Sequence, residues 1–449
     1  MRRKVVISTA GSSGDLNPFI ALGLTLKERG FEPLIASQIE FRGKVEAEGL
    51  MFHALRPSVS DVKGELGLDV QTIFRRATNG SSGLAFLVRR IAMPFLRRAY
   101  EDMMSATEDA ALVITHPSAF AARLAADTRG LMWVSAVLAP FTVMSAYDPP
   151  VLSTAPGLAT LRELTGARFD AALLAMIKRF ADPWTAPFRS LRSELGLPPV
   201  ANPLFEGQFS PHATLAMYSK WLGDIQPDYP TNCQITGFAF YDSQKGGKAE
   251  LPEGLQRFLA EGPPPLVFTL GTAVVIEPGD FWRRSLQIAK KLGRRAVLVG
   301  ANSEGPELGL RHGEHLPKWA YAVQYVPHSL IFPHAEAIIH HGGVGTTAQA
   351  LRSGRPQLIV PYMGDQPDNA ARMVRLGVAR TLPPGAYSPR KASDELNALM
   401  SYPSYGLRAA QIAPSVAAED GAKVSADIIE NLLEQEDRQR RRVAGLRPV

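Results

Sequence analysis

Two glycine-built junctions between a strand and a helix constrain this chain more than any other feature. Near its start the β-rich run RKVVIST meets the loop GSSGDLNP and then PFIALGLTLKERG, whose apolar residues recur at helical spacing. In the second half EAIIHHGGVGTTAQAL leads from an apolar run through Gly342, Gly343 and Gly345 into another helix. A strand that feeds a helix through such a loop is the opening unit of a doubly wound α/β sheet.

The surrounding sequence extends both units. After the first come FEPLIAS (31–37), ALVITHPSAF (111–120) and LMWVSAVL (131–138) as strand candidates, with Pro18 expected at the first helical position and Gly30 at the helix end. The stretch 151–215 is punctuated by proline and reads as helices, and TNCQITGF (231–238) as a strand. The polar, glycine-containing YDSQKGGKAELPEG marks a boundary. A second series follows: PPLVFTLGTAV (264–274), RRAVLVGA (294–301), YAVQYVP (321–327), EAIIHHGG (336–343), QLIVPYMGDQ (357–366) and VARTL (378–382). The expected fold class is α/β, two Rossmann-like doubly wound domains facing a cleft. Their expected extents are 1–240 and 253–415, joined by a linker at 241–252. Residues 416–449 follow as a helix and a basic tail, RQRRR (438–442), read as solvated charge.

A chain of 449 residues exceeds one ordinary core, in keeping with two domains. The net charge of +6 is too mild to demand a nucleic-acid partner, and no RRM, helix-turn-helix or zinc-finger pattern occurs. Cys233 is the only cysteine, which excludes an intrachain disulfide and a thiolate metal cluster. The apolar run after MRRK is too short for a signal peptide. The longest apolar stretch, 131–146, contains a proline and falls short of the roughly 20 residues a membrane span needs. These features lead to the expectation of a cytoplasmic protein.

The junction at 340–347 carries the chemistry. Backbone N–H groups at a helix N-terminus face an anion there, with the helix dipole in support. The glycines permit close approach, and Thr346 and Thr347 add hydroxyls. The spacing is not GxGxxG, and no P-loop lysine is present. His340 and His341 are adjacent on a strand and so point to opposite faces, which makes a shared metal ion a poor reading. One should pack beneath the turn while the other faces the ligand.

The run HHGGVGTTAQALRSGRPQLIVPYMGDQPDNA resembles the donor-binding signature of family 1 nucleotide-sugar glycosyltransferases, with YVPHSLIFPHAEAIIHH matching upstream and GSSGDLNP resembling the acceptor-side loop. The resemblance implies a GT-B fold, with an acceptor-binding N-terminal domain and a nucleotide-sugar-binding C-terminal domain. It places His341, Gly343, Gly345, Thr346, Thr347 and Thr272 at the donor diphosphate. Asp365 and Gln366 fall on the sugar hydroxyls, and Tyr325 and Val326 on the base. Tyr325 replaces the tryptophan of plant members, which leaves uracil and thymine both open. Neither a cofactor nor a metal is implied, and no D-x-D pattern occurs.

Within that resemblance Asp15 or His116 is the expected base. The implied reaction is inverting transfer of a hexose from a UDP- or dTDP-sugar to a hydroxyl of a small, largely apolar acceptor. Such an acceptor could be a lipid, sterol, polyketide or flavonoid-like molecule. Transfer from dTDP-rhamnose in glycolipid synthesis is one alternative. A nucleotide-sugar 2-epimerase and a non-catalytic nucleotide-sugar-binding subunit are others. APFTVMSAYDPP (139–150), Phe169, Trp184 and Phe188 are candidates for an apolar acceptor pocket. The arginine pairs Arg75-Arg76, Arg89-Arg90 and Arg97-Arg98, set among apolar residues, admit peripheral contact with an anionic inner membrane.

Overall fold

The computed structural model describes residues 3–78, 82–151, 158–242, 250–271, 278–310 and 314–443, with backbone alone over 158–165 and at 443. The first half contributes β1 (Lys4–Ser8), β2 (Glu32–Ser37), β3 (Met51–Ala54), β4 (Ala110–Thr115), β5 (Trp133–Val137), β6 (Thr214–Ala216) and β7 (Cys233–Ile235). They form one sheet in the order β3-β2-β1-β4-β5-β6-β7. The second half contributes β8 (Leu266–Thr269), β9 (Ala296–Val299), β10 (Ala320–Val323), β11 (Ala337–His340), β12 (Gln357–Ile359) and β13 (Ala379–Thr381). Their order is β10-β9-β8-β11-β12-β13. Every pairing in both sheets is parallel.

Helices cover both faces of such sheets, so central strands carry unbroken apolar runs rather than alternation. In β1, Val5, Val6 and Ile7 are all fully buried, with Val6 in register with Leu34 on one side and Val113 on the other. β3 and β6 are absent from the sequence reading. MFHA is the edge strand of its sheet with its side chains half exposed, and TLA is three residues long, so neither carries a strong strand pattern.

In each sheet the strand order reverses once, between β1 and β4 and again between β8 and β11. The loops leaving the C-terminal ends of these strand pairs open a crevice, the usual ligand position in doubly wound sheets.

Two local expectations need correction. The first helix begins at Ser13 rather than at Pro18, because a capping box between Ser12 and Asp15 nucleates it earlier and leaves Pro18 inside. The RQRRR segment is helical rather than a loose tail. It continues the helix Gly421–Val443, supported by i,i+4 pairs of Arg438 with Glu434 at 3.7 Å and Arg440 with Glu436 at 2.6 Å. That last helix returns to the first half. Ala422, Ala426, Ile429 and Leu433 join the core built around Leu16, Phe19 and Ile20.

Most of the expected linker, residues 243–249, lies outside the described residues. Asp242, just before it, accepts hydrogen bonds from Gln349 Nε2 at 2.6 Å and Arg352 Nη1 at 3.1 Å. Among the described residues no helix is long and apolar enough to cross a membrane.

Candidate active site

At the first switch point, the β1 loop and the end of β4 bring Asp15 and His116 together. Asp15 Oδ2 accepts from Ser12 N at 2.7 Å and Ser12 Oγ at 2.9 Å, closing the capping box. Asp15 Oδ1 faces His116 Nε2 at 4.0 Å, with side-chain exposures of 36% and 12% respectively. Ser118 Oγ donates to Ala10 O at 2.7 Å and lies 2.6 Å from His116 Nδ1, which also accepts from Ser118 N at 3.4 Å. Burial lowers the His116 pKa despite the nearby carboxylate, which keeps the ring neutral near pH 7.

The second switch point is built from glycine and buried histidine. His340 is fully buried, donates from Nε2 to Gln357 Oε1 at 2.9 Å and accepts at Nδ1 from Gly342 N at 3.1 Å. It therefore braces the turn from beneath. Gly342 has φ +86°, a left-handed conformation, and a Cβ there would lie 2.9 Å from Ile359 Cγ2. The His341 ring lies between Gly271 and Gly343, and a methyl group on either glycine would overlap it. Its Nδ1 is buried with no protein partner. Burial, with His340 and His328 nearby, lowers the His341 pKa to about 3, so any bond it gives is that of a neutral imidazole.

Gly343 caps the following helix, Val344–Ser353, without a side-chain hydrogen bond. The first N–H groups of that helix are thus left for another partner. Open space lies where a Cβ on Gly345 would stand. Thr346 is nearly buried, and Thr347 is fully buried with its hydroxyl unpartnered. Thr272 lies outside the described residues.

Asp365 and Gln366 stand at the start of the helix Gln366–Arg375. Gln366 Oε1 accepts from Tyr362 N at 2.8 Å and Met363 N at 3.1 Å, which leaves Nε2 as the donor end of its amide. Asp365 Oδ2 accepts from Asn369 Nδ2 at 2.7 Å. Burial raises the Asp365 pKa to about 7 against that hydrogen bond, and the negative field of Asp15 adds to the rise. The cleft therefore brings the carboxylate of one half within electrostatic reach of the other. Tyr325 is 46% exposed while Val326 is buried, leaving the backbone of Val326 as its polar surface.

Similarity to known proteins follows the same layout. Residues 306–433 match the model of the erythromycin biosynthesis protein CIII-like C-terminal domain. The O-mycaminosyltylonolide 6-deoxyallosyltransferase of Streptomyces fradiae is 31% identical, over 96% of this chain and 98% of its own length. The chain belongs to family 1 of the nucleotide-sugar glycosyltransferases. The glycosyltransferase GtfE of Amycolatopsis orientalis is 28% identical over 95% of this chain and 97% of its length. Among solved structures, the glycosyltransferase VinC in complex with dTDP aligns with a TM-score of 0.65 at 20% identity, covering 96% of this chain and all of VinC. The pair of parallel-sheet domains is the GT-B fold of this family of glycosyltransferases.

One apolar acceptor candidate needs revision within this glycosyltransferase. Phe188 is fully buried in the core beside Leu191 and Trp133, so it lines no pocket. The SAYDPP loop is anchored by charge. Asp148 pairs with Arg372 and with Arg375 of the helix Gln366–Arg375, and Val151 N donates to Asp368 Oδ1 at 2.9 Å. Arg372 is 3% exposed, so this contact between the halves is a buried one. Nothing in the local sequence pattern joins residues more than 200 positions apart. Of the arginine pairs, Arg97 is held by Glu194 and Arg98 by Glu65, whereas Arg89 and Arg90 are exposed.

Proposed function

We propose that this glycosyltransferase transfers a hexose, with inversion, from a UDP- or dTDP-sugar to a hydroxyl of a small, largely apolar natural-product acceptor. The observation that carries the reading is the meeting, across one cleft, of an Asp15–His116 pair with an uncapped helix N-terminus behind His341. Asp15 Oδ1, the more exposed member, takes the proton of the attacking hydroxyl, and neutral His116 Nε2 faces the same atom. The attack comes from the first half while the nucleoside diphosphate leaves toward the second, an arrangement suited to in-line displacement.

Charge developing on the leaving diphosphate meets the free N–H groups of the helix Val344–Ser353 and its dipole. His341, Gly343, Gly345, Thr346 and Thr347 belong to this cradle, and Thr272 is assigned to it by resemblance alone. Gln366 donates to a sugar hydroxyl and Asp365 accepts from one. Tyr325 offers its ring to the base and Val326 its backbone. The acceptor class rests on the relatives, whose names include the transfer of a sugar to O-mycaminosyltylonolide. The dTDP bound to VinC supports thymidine beside uridine as the donor nucleoside. The halves are assigned as acceptor domain (1–240) and donor domain (253–415).

Thermal shifts with UDP-glucose, dTDP-glucose and dTDP-rhamnose test the donor side, because a ligand bound only by the folded state raises apparent stability. The expected result is a shift with at least one of them, followed by a glycosylated product in an acceptor screen read by mass. Hydrolysis or epimerisation of the donor with no acceptor used would instead favour a nucleotide-sugar 2-epimerase.

A further inference from the structure

We propose that Asn369 is a positioning residue that ties the donor-sugar subsite to the diphosphate turn, so that the two form one rigid receptor. The proposal rests on the assignment of Asp365 to the sugar. Asn369 is fully buried on the helix Gln366–Arg375, one turn beyond Asp365. Its Nδ2 donates to Asp365 Oδ2 at 2.7 Å and to Gly342 O at 3.0 Å. Carboxylate and carbonyl oxygens only accept, so both amide protons are used and the orientation of the amide is fixed. One NH2 group thereby joins a side chain that would hold a sugar hydroxyl to the turn that would hold the diphosphate.

Two further contacts fix the ends of this tie. Gly342 N donates to His340 Nδ1 at 3.1 Å, and a Cβ on Gly342 would lie 3.1 Å from Gln366 O. The turn and the start of the helix are thus in close contact, with no slack between them. Asn369 Oδ1 is buried without a partner, so the amide is held in place by its donor side alone. A residue chosen only for packing at this position would not need to leave a buried carbonyl unpaired.

Asn369→Leu removes the donor at similar volume, and Asp365→Ala removes its carboxylate partner. Isothermal titration with UDP-glucose and dTDP-glucose, each set against UDP and dTDP alone, separates the sugar-dependent part of binding. Asn369→Leu is expected to weaken nucleotide-sugar binding about tenfold, the size of one charge-assisted hydrogen bond. The double variant is expected to bind no more weakly than Asp365→Ala does. Additive losses, or nucleotide-sugar binding by Asn369→Leu equal to the parent's, would overturn the tie. If Asp365→Ala leaves the sugar-dependent part intact, the sugar assignment itself falls, and the tie with it.

Should Asn369→Leu fold poorly, Asn369→Asp provides a second test through pH. Its new carboxylate would face Asp365, with Asp368 on the same helix, Asp15 across the cleft, and two neutral rings nearby, His340 beneath the turn and His341 between Gly271 and Gly343. At pH 8 two charges would repel and nucleotide-sugar binding should be weak. At pH 6 a shared proton restores a donor between the carboxylates, and binding should recover several-fold relative to the parent. A parallel pH response of variant and parent would count against the proposal.

Discussion

The helices that follow β1 and β11 start on opposite sides of the order reversal in their respective sheets, and they treat their N-termini in opposite ways. After β1, Ser12 and Asp15 cap the helix with their own side chains, and a carboxylate already sits in the field of its dipole. After β11, the cap is Gly343, with no side-chain bond and with open space over Gly345. The same backbone geometry thus holds a built-in anion in one half and leaves room for an external one in the other. Topology supplies two anion sites, and the residue at the cap decides which of them a ligand can use.

The largest expected effect breaks the first of these. Asp15→Asn preserves a cap acceptor for Ser12 N but removes the base, so transfer should fall about 10²- to 10⁴-fold while donor affinity stays unchanged. Unaltered turnover would remove Asp15 from the chemistry.

The next prediction concerns the point where the halves feel one another. The Asp365 pKa, raised from 3.8 to about 7, means that the folded state binds its proton more tightly than the unfolded chain. The protein is therefore destabilised as pH rises from about 4 through 7, and the cost is fully present above the folded pKa. Asp365→Asn should be no more stable than the parent near pH 3 and more stable at pH 8, by at most about 4 kcal/mol. Chemical denaturation at the two pH values reads the difference, and an equal offset at both would contradict it.

His341→Ala tests the open helix N-terminus. It should weaken UDP or dTDP binding about tenfold, the loss of one hydrogen bond to a charged group, and leave stability near the parent's. Titration of the nucleotide diphosphate alone measures it. Ser12→Ala should have the smallest effect: about 1 kcal/mol of stability for the lost cap, with diphosphate binding unmoved. A matching loss of diphosphate affinity would mean that the two helix N-termini are not independent.

Much of this was legible in order along the chain. Apolar runs ending in glycine located β1, β8 and β11, and the resemblance around HHGGVGTT pointed to His341, Asp365 and Gln366 before any coordinate. Short or edge strands such as β3 and β6 were not legible, because three or four residues at or beside a sheet edge carry little periodic signal. The apolar look of Phe188 was misleading, since a core residue and a pocket residue share one composition.

What the sequence determined by itself is local. Glycine permits left-handed turns, Ser12 and Asp15 are spaced for a capping box, and β-branched runs make parallel strands. Only the tertiary structure decided which distant groups share a field. It placed His116 Nε2 4.0 Å from Asp15, set Asp15 close enough to raise the Asp365 pKa, and buried Arg372 against Asp148. Those relations depend on the packing of two sheets and a returning C-terminal helix. Burial removes the water that would screen each charge, and so turns mere proximity into interaction.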